Sequence, residues 1–362
     1  MTNNYPNLFE TTKIQELLDA GLVRVQKHPD ADLWIWNYTQ AAQFGGQLKT
    51  DYVLRQLRGM ITDQDGQVVA RGFPKFFNLG EQPEVDAAYA GKEFRAETKY
   101  DGSLGILYHD GTDYAIATRG SFLSEQAIEG TKILKTLLQE SPSMREGFDF
   151  FRHKAITILY EILYPENRIV VDYKGVRELV LLGYVDNRTG KNANYGLSGG
   201  LLHSDPSTLL DVLPNPGNQE GFVLVYPDSH RVKVKYAEYC RLHRIVTGLN
   251  ELAVWEALAS NSLDSLIESC PDEFFNWVKN VSAKFKSQFN HIDQTSQIQF
   301  AQINQSKFAT KGEMARHIAD WPDKALYFAL WDGKASVYTR NIWNSLRPVG
   351  VTPGPFNGRD EA

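Results

Sequence analysis

The sequence predicts an α+β chain: antiparallel sheets with flanking helices over residues 1–240, a mostly α-helical domain over 241–350, and a disordered Pro/Gly-rich tail at 351–362. Three observations predict it. Apolar, β-prone runs come in pairs around tight connections at Asp65-Gly66, at Asp110-Gly111 and across Pro227-Asp228-Ser229-His230, which is the signal of hairpins. Past Tyr239 the apolar spacing changes to three and four, through Leu242, Ile245, Val246, Leu249, Leu252 and Ala253, the period of an amphipathic helix. At 362 residues the chain is long enough for two domains, each with its own core.

Taken in order, Lys13 to Ala20 reads as a short helix and Leu33 to Tyr38 as an aromatic strand holding Trp34 and Trp36. Arg58 to Thr62 and Gln67 to Arg71 form the first hairpin, followed by Pro74-Lys75-Phe76-Phe77-Asn78. Leu104 to Tyr108 and Tyr114 to Thr118 form the second. Glu125 to Gln139 carries Ile128, Leu134, Leu137 and Leu138 at helical spacing. Ala155 to Leu163 is a strand that Glu161 interrupts, and a buried carboxylate there needs a partner, because leaving it unpaired costs several kcal/mol. After the strand Leu179 to Val185, Gly, Ser and Asn crowd residues 190–200 and predict a surface loop. Glu220 to Tyr226 and Arg231 to Tyr236 form the third hairpin. Near the end, Tyr327 to Trp331 and Ala335 to Tyr338 around Asp332-Gly333 fit either helix or a small hairpin.

Composition narrows the function classes. Hydrophobic residues make up 42% and charged residues 23%, and no run approaches the roughly 18 apolar residues of a membrane span. Two cysteines, Cys240 and Cys270, are too few for a disulfide framework or a zinc site. The polar start Met1-Thr2-Asn3-Asn4-Tyr5 lacks the basic-then-apolar order of a signal peptide, so a cytoplasmic chain is expected. The net charge of −6 argues against a generally basic nucleic-acid binder, so phosphate contacts must come from a local cluster. Residues 241–362 carry 13 basic and 13 acidic side chains, which leaves the acidic excess in 1–240. Basic residues recur there beside strand signals, a pattern that suits a phosphate site in a cleft.

Lys99-Tyr100-Asp101-Gly102-Ser103 is the chemically pointed stretch. A lysine at the lip of a sheet, partly desolvated and near other cations, loses some stabilisation of its ammonium form and becomes a nucleophile. An exposed lysine before a turn is the plain alternative. Period-two alternation puts Lys233 and Lys235 on one face of their strand and Val232 and Val234 on the other. The pair fits a solvated edge strand, where lysines guard against aggregation, or two cations aimed at an anion.

In combination these residues resemble the covalent nucleotidyltransferase superfamily of ATP-dependent ligases and RNA-capping enzymes, whose lysine lies in a Lys-x-Asp-Gly element. More narrowly, the chain is similar to the RNA ligase 1 family typified by bacteriophage T4. Seven elements appear in order within residues 33–245: Arg58-Gly59-Met60, Lys75-Phe76-Phe77-Asn78-Leu79, Lys99 to Ser103, Gly120-Ser121 with Ser124-Glu125-Gln126-Ala127, Glu161 followed by Pro165-x-Asn167-Arg168-Ile169-Val170, Glu220-Gly221, and Lys233-Val234-Lys235.

The resemblance implies an adenylyltransferase domain over 1–240 and an ATP-dependent RNA ligase that joins 5′-phosphate and 3′-hydroxyl ends through a lysyl-adenylate on Lys99, in RNA repair. Lys233 and Lys235 would contact the α-phosphate, and Arg58 and Lys75 the β- and γ-phosphates. Glu220 would orient metal-bound waters, with Glu161 beside the nucleotide and the metal, Mg²⁺ or alternatively Mn²⁺. Arg119 stands where the family has lysine; the charge is kept, but a fork replaces a point charge. Trp36 stands at a tyrosine position of the nucleotide site, so no hydroxyl contact carries over. Tyr239 matches a family tyrosine after the Lys-x-Lys strand, and Asp264, in Leu263-Asp264-Ser265-Leu266, corresponds to a carboxylate that binds metal water. The partners implied are RNA ends, tRNA among them, with ATP, and the chain is expected to be monomeric. Nick-sealing DNA ligases and capping enzymes are the near rivals, but they usually continue into an OB-type barrel where this chain continues into helices. A non-catalytic RNA-binding relative is the more distant rival.

Overall fold

The computed structural model describes residues 5–193, 195, 201–206, 209, 218–270, 274–305 and 308–348. Two compact units divide at Val246/Thr247, within the helix Ala237–Thr247; the sequence placed the boundary at 240/241. The expected tail at 351–362 and most of the tip of the 190–200 loop lie outside the described residues.

Over its described residues, the first unit is built on three sheets. The first sheet runs in the order β1 (Val23–Lys27), β2 (Leu33–Tyr38), β3 (Arg58–Asp63), β4 (Val68–Ala70). Strand β5 (Phe77–Asn78) follows, and β6 (Phe94–Lys99) ends on Lys99. The second sheet is made of β7 (Ser103–His109), β8 (Tyr114–Ala117), β9 (Ile156–Leu163) and β10 (Glu178–Asp186), in the order β10-β9-β7-β8. The third has the order β11-β6-β12-β13-β5, with β11 at Leu201–His203, β12 at Gly221–Val225 and β13 at Arg231–Lys235.

Apolar faces explain the layering. Ile35 and Ile61 of the first sheet pack with Ile106, Tyr108 and Leu159 of the second. The helix Thr11–Asp19 buries Ile14 and Leu17 against the other face of the first sheet, where Trp36, Tyr38 and Met60 lie. The helix Glu125–Glu140, capped by the Ser124 side chain on the Ala127 N–H, buries Ile133, Leu134 and Leu138 against Ile116, Ile158 and Ile162 of the second. A further helix, Met144–His153, joins it through Phe148. Burying one face of each element in this way supplies the main driving force for the unit.

All three predicted hairpins form, as β3/β4, β7/β8 and β12/β13. The edge-strand reading of Lys233 and Lys235 does not hold. Strand β13 lies between β12 and β5, which pairs with it in parallel through Phe77 and Asn78, and Leu79 N–H donates to the Lys233 carbonyl at 2.9 Å.

The second unit is helical over its described residues: Glu251–Ala259, Leu263–Ser269, Phe275–Gln305, Lys311–His317, Lys324–Trp331 and Ala335–Ser345. Its core gathers Ile303, Met314, Ile318, Leu326, Tyr327, Tyr338 and Ile342. Asp332-Gly333 joins two helices, with Gly333 at φ +65°, which rules out the small hairpin. Leu326, Tyr327 and Ala329 are buried on one helix and Tyr338 and Ile342 on the next, at the three-to-four spacing of helix rather than the alternation of strand.

Gly221 is the tightest point of the third sheet. It adopts φ +148°, and a Cβ there would lie 2.1 Å from the Val234 carbonyl oxygen. Gly221→Ala is expected to destabilise the chain by about 3 kcal/mol, from backbone strain and overlap together. A drop of several degrees in the thermal midpoint of the full chain checks this, and an unchanged midpoint contradicts it.

Candidate active site

Strand register brings the site together. Gly221 on β12 faces Lys99 on β6 on one side and Lys235 on β13 on the other. Directly opposed residues of antiparallel strands share a face, so the two lysines project the same way across a position that has no side chain. Glu220, one residue before, fills the interval. Its Oε2 lies 2.6 Å from Lys99 Nζ and its Oε1 2.9 Å from Lys235 Nζ, and it is only 3% exposed. Tyr236 N–H donates to the Glu220 carbonyl at 3.0 Å, which ties the same residue to the end of β13.

This geometry corrects one expectation. Lys99 was expected near other cations, and Lys235 lies on the same face, but the group touching its amine is a carboxylate, shared with Lys235. Glycine at 221 leaves room for that carboxylate between the two strands.

Asp101 organises the loop after the lysine. Its Oδ1 accepts from the Tyr239 hydroxyl at 2.7 Å, and its Oδ2 accepts from the Val170 and Val171 N–H groups at 2.9 and 2.8 Å. Its own N–H donates to the Tyr173 hydroxyl oxygen at 2.7 Å. Gly102 follows because the chain here presses on β9: a Cβ would lie 2.7 Å from the Ile162 carbonyl oxygen. The same approach lets Gly102 N–H donate to Glu161 Oε1 at 3.1 Å, which gives the strand glutamate the partner its position requires. Burial pushes the Glu161 carboxyl up to about 7, with Lys99 opposing and the Glu220 carboxylate adding to the rise. Arg58 also pulls on it, so Lys99, Glu220, Glu161 and Arg58 share one electrostatic neighbourhood.

The cationic candidates extend from this point. Lys233, 8% exposed, and Arg58 both face the Phe76 ring, at 5.9 and 6.0 Å from its centroid. Lys75 is equally buried, 5.7 Å from the Phe77 ring, and its N–H donates to the Arg55 carbonyl at 2.9 Å. Arg119 reaches the Tyr38 hydroxyl at 3.5 Å, with its guanidinium 5.4 Å from that ring. Two further sequence elements meet beside the loop, where Asn167 Nδ2 donates to Ser103 Oγ at 3.0 Å and Gln126 Nε2 to Asn167 Oδ1 at 3.5 Å.

Trp36, an expected nucleotide contact, is instead a core residue, 2% exposed and packed with Tyr38, Met60 and Leu57. Its indole N–H donates to Thr62 Oγ1 at 2.8 Å, so an aromatic position in the sequence marked packing and not a surface for ligand. Tyr239 is buried under the site and spends its hydroxyl on Asp101, with its ring 5.3 Å from Lys235 Nζ. Asp264 lies exposed in the first turn of Leu263–Ser269, in the second unit. Among the described residues, no group of three or more His, Cys, Asp or Glu is placed to hold a metal ion. Sequence reasoning did not single out Tyr173; a tyrosine just beyond Asn167-Arg168-Ile169-Val170-Val171 was the available signal.

Known proteins resemble the chain over the part that holds most of these residues. The sequence model of the RNA ligase family of T4 type 1 matches residues 56–196, which include Arg58, Lys75, Lys99, Arg119 and Glu161. An RNA ligase of Rhodothermus phage RM378 is 26% identical over 411 aligned positions, covering 90% of this chain and 91% of the relative. A Thermovibrio ammonificans chain, itself named only provisionally as an RNA ligase, is 28% identical over 291, covering 75% and 72%. RNA ligase 1 of bacteriophage TS2126 is 31% identical over 128, covering 33% and 32%. Over residues 56–196, the segment that holds Lys99 and Glu161, the chain is thus similar to the RNA ligase family of T4 type 1.

Proposed function

We propose that the chain is an ATP-dependent RNA ligase that joins a 5′-phosphate to a 3′-hydroxyl, with Lys99 as the group that carries AMP. The observation supporting this most strongly is the Lys99–Glu220–Lys235 arrangement, in which an amine able to attack phosphorus lies beside a second cation on one sheet face. In the first step Lys99 Nζ, after releasing a proton to solvent, bonds to the α-phosphorus of ATP while the bond to the bridging oxygen breaks and pyrophosphate leaves. Glu220 is the carboxylate in contact with that amine. AMP then passes from Lys99 to the phosphate at the RNA 5′ end. Finally the 3′-hydroxyl attacks that phosphate and AMP departs.

Positioning and charge neutralisation do most of the work in such transfers. Lys235, and Lys233 behind it, are assigned to the α-phosphate, and Arg58 and Lys75 to the β- and γ-phosphates, with Arg119 a further cation. The site fits a hard divalent ion, because Glu161 and Glu220 offer oxygen donors while phosphate and water oxygens can complete the shell. Mg²⁺, or Mn²⁺ in its place, would be held there and would supply further neutralisation of the triphosphate. The reading takes the substrates to be RNA ends, tRNA included, and the protein to be a monomer acting in the cytoplasm. Among the described residues, no helix is long and apolar enough to cross a membrane.

With labelled ATP and a divalent ion, wild-type protein is expected to acquire a covalent AMP adduct that Lys99→Ala lacks altogether; an adduct retained in that variant contradicts the assignment. Labelled GTP, and RNA against DNA ends, separate this reading from the capping and DNA-joining rivals. Lys235→Ala should slow adduct formation by about 10²–10³-fold, the typical effect of removing one well-placed charge from a transition state, and near wild-type rates would refute its role.

Glu161 yields a prediction in pH. A carboxyl raised to about 7 is neutral below that pH and serves a cation poorly, so adduct formation should fall as pH drops through about 7. Its folded-state affinity for a proton exceeds that of an unfolded glutamate, so the cost of burying its charge sets in as pH rises from about 4.5 and is complete above about 7. Glu161→Gln is therefore expected to lose adduct formation yet raise the thermal midpoint at pH 8 more than at pH 5. A lower midpoint at pH 8 would show that the charged carboxylate stabilises the fold.

A further inference from the structure

Residues 170–173 touch both halves of the candidate site. On one side the Val170 and Val171 N–H groups donate to Asp101 Oδ2, and the Tyr173 hydroxyl oxygen accepts the Asp101 N–H. Asp101, 4% exposed, is two residues from Lys99. On the other side Asp172 exchanges two hydrogen bonds with the Asn218 carboxamide: Asp172 N–H donates to Asn218 Oδ1 and Asn218 Nδ2 donates to the Asp172 carbonyl, both at 2.8 Å. Asn218 is two residues before Glu220. The segment is thus a bracket between the chain that carries the amine and the chain that carries the carboxylate. Lys174 at φ +53° and Gly175 at φ +80° turn the backbone immediately after it. The Tyr173 ring lies 6.5 Å from that of Tyr100, the residue between Lys99 and Asp101.

We infer that Tyr173 is a positioning residue for the nucleophile. By accepting the Asp101 N–H it fixes the backbone from which Lys99 reaches Glu220, and so acts on formation of the lysyl-adenylate but not on the last joining step. This rests on the reading of Lys99 as the AMP carrier. The last step uses a 3′-hydroxyl and an already activated 5′ end and makes no bond to Lys99, so displacement of the amine leaves it unaffected. Burial raises the Tyr173 phenol above its ordinary value, so the hydroxyl keeps its proton.

The test compares wild type, Tyr173→Phe and Asn218→Ala in two assays, adduct formation from labelled ATP and joining of a chemically pre-adenylylated RNA. Phenylalanine keeps the ring and removes the acceptor, leaving the buried Asp101 N–H unpaired. For Tyr173→Phe, adduct formation should slow by about tenfold, the scale of one lost hydrogen bond and a slightly misplaced nucleophile. The KM for ATP and the joining of pre-adenylylated RNA should stay within roughly twofold of wild type. Asn218→Ala, which opens the bracket from the other side, should shift the same step in the same direction. A merely structural role would lower both assays together. Equal losses in both, or no loss in either variant, overturn the proposal while leaving the reading of Lys99 intact. A wild-type protein that forms no adduct overturns that reading and the proposal with it.

Discussion

One carboxylate holding two ammonium groups is the interaction on which the site depends. Glu220 is almost fully buried, and a buried charge without partners would cost several kcal/mol. Lys99 and Lys235 provide those partners from strands on either side of β12. The arrangement requires that the central strand contribute no side chain between them, and Gly221 meets that requirement. On the proposed reading, a substrate phosphate entering this space would compete with Glu220 for the two lysines that the carboxylate holds in place.

Around that pair, the motifs that are far apart in sequence act as mutual supports. Asp101 gathers β6, the segment after Arg168 and the helix after β13 by means of four hydrogen bonds. Glu161 depends on the close passage of Gly102 for its backbone donor. Ser103, Asn167 and Gln126 form a second chain of contacts beside it. Networks of this kind confer rigidity when each member is satisfied, and a nucleophile must be held to within a fraction of an ångström to be effective.

Much of this was legible in the sequence, for identifiable reasons. Asp65-Gly66 and Asp110-Gly111 announced their hairpins because a glycine able to take a positive φ, +76° at Gly66 and +103° at Gly111, suits a tight connection. Glu161 was legible as a charge in an apolar strand. Strand β6 was passed over, although Phe94, Ala96 and Thr98 alternate with Arg95, Glu97 and Lys99, because its polar half faces neighbouring charges rather than solvent. The interior position of β13 was hidden because its outer neighbour β5 is two residues long and parallel, below any sequence signal. Trp36 was placed at the nucleotide site because it stands at a family tyrosine position, and the chain buries it in the core instead. Tyr173 was passed over because its contact is with a backbone N–H 72 residues away, so its place just beyond Val170-Val171 was the one mark it carried.

The central claim is that AMP is carried on the Lys99 nitrogen. It is tested most directly by incubating the purified full chain with ATP and Mg²⁺, digesting it, and locating the AMP-modified peptide by mass spectrometry. The account predicts a single modified peptide containing Lys99, with the AMP released by acid as a phosphoramidate requires. AMP on any other lysine, or on an acid-stable linkage, would contradict it.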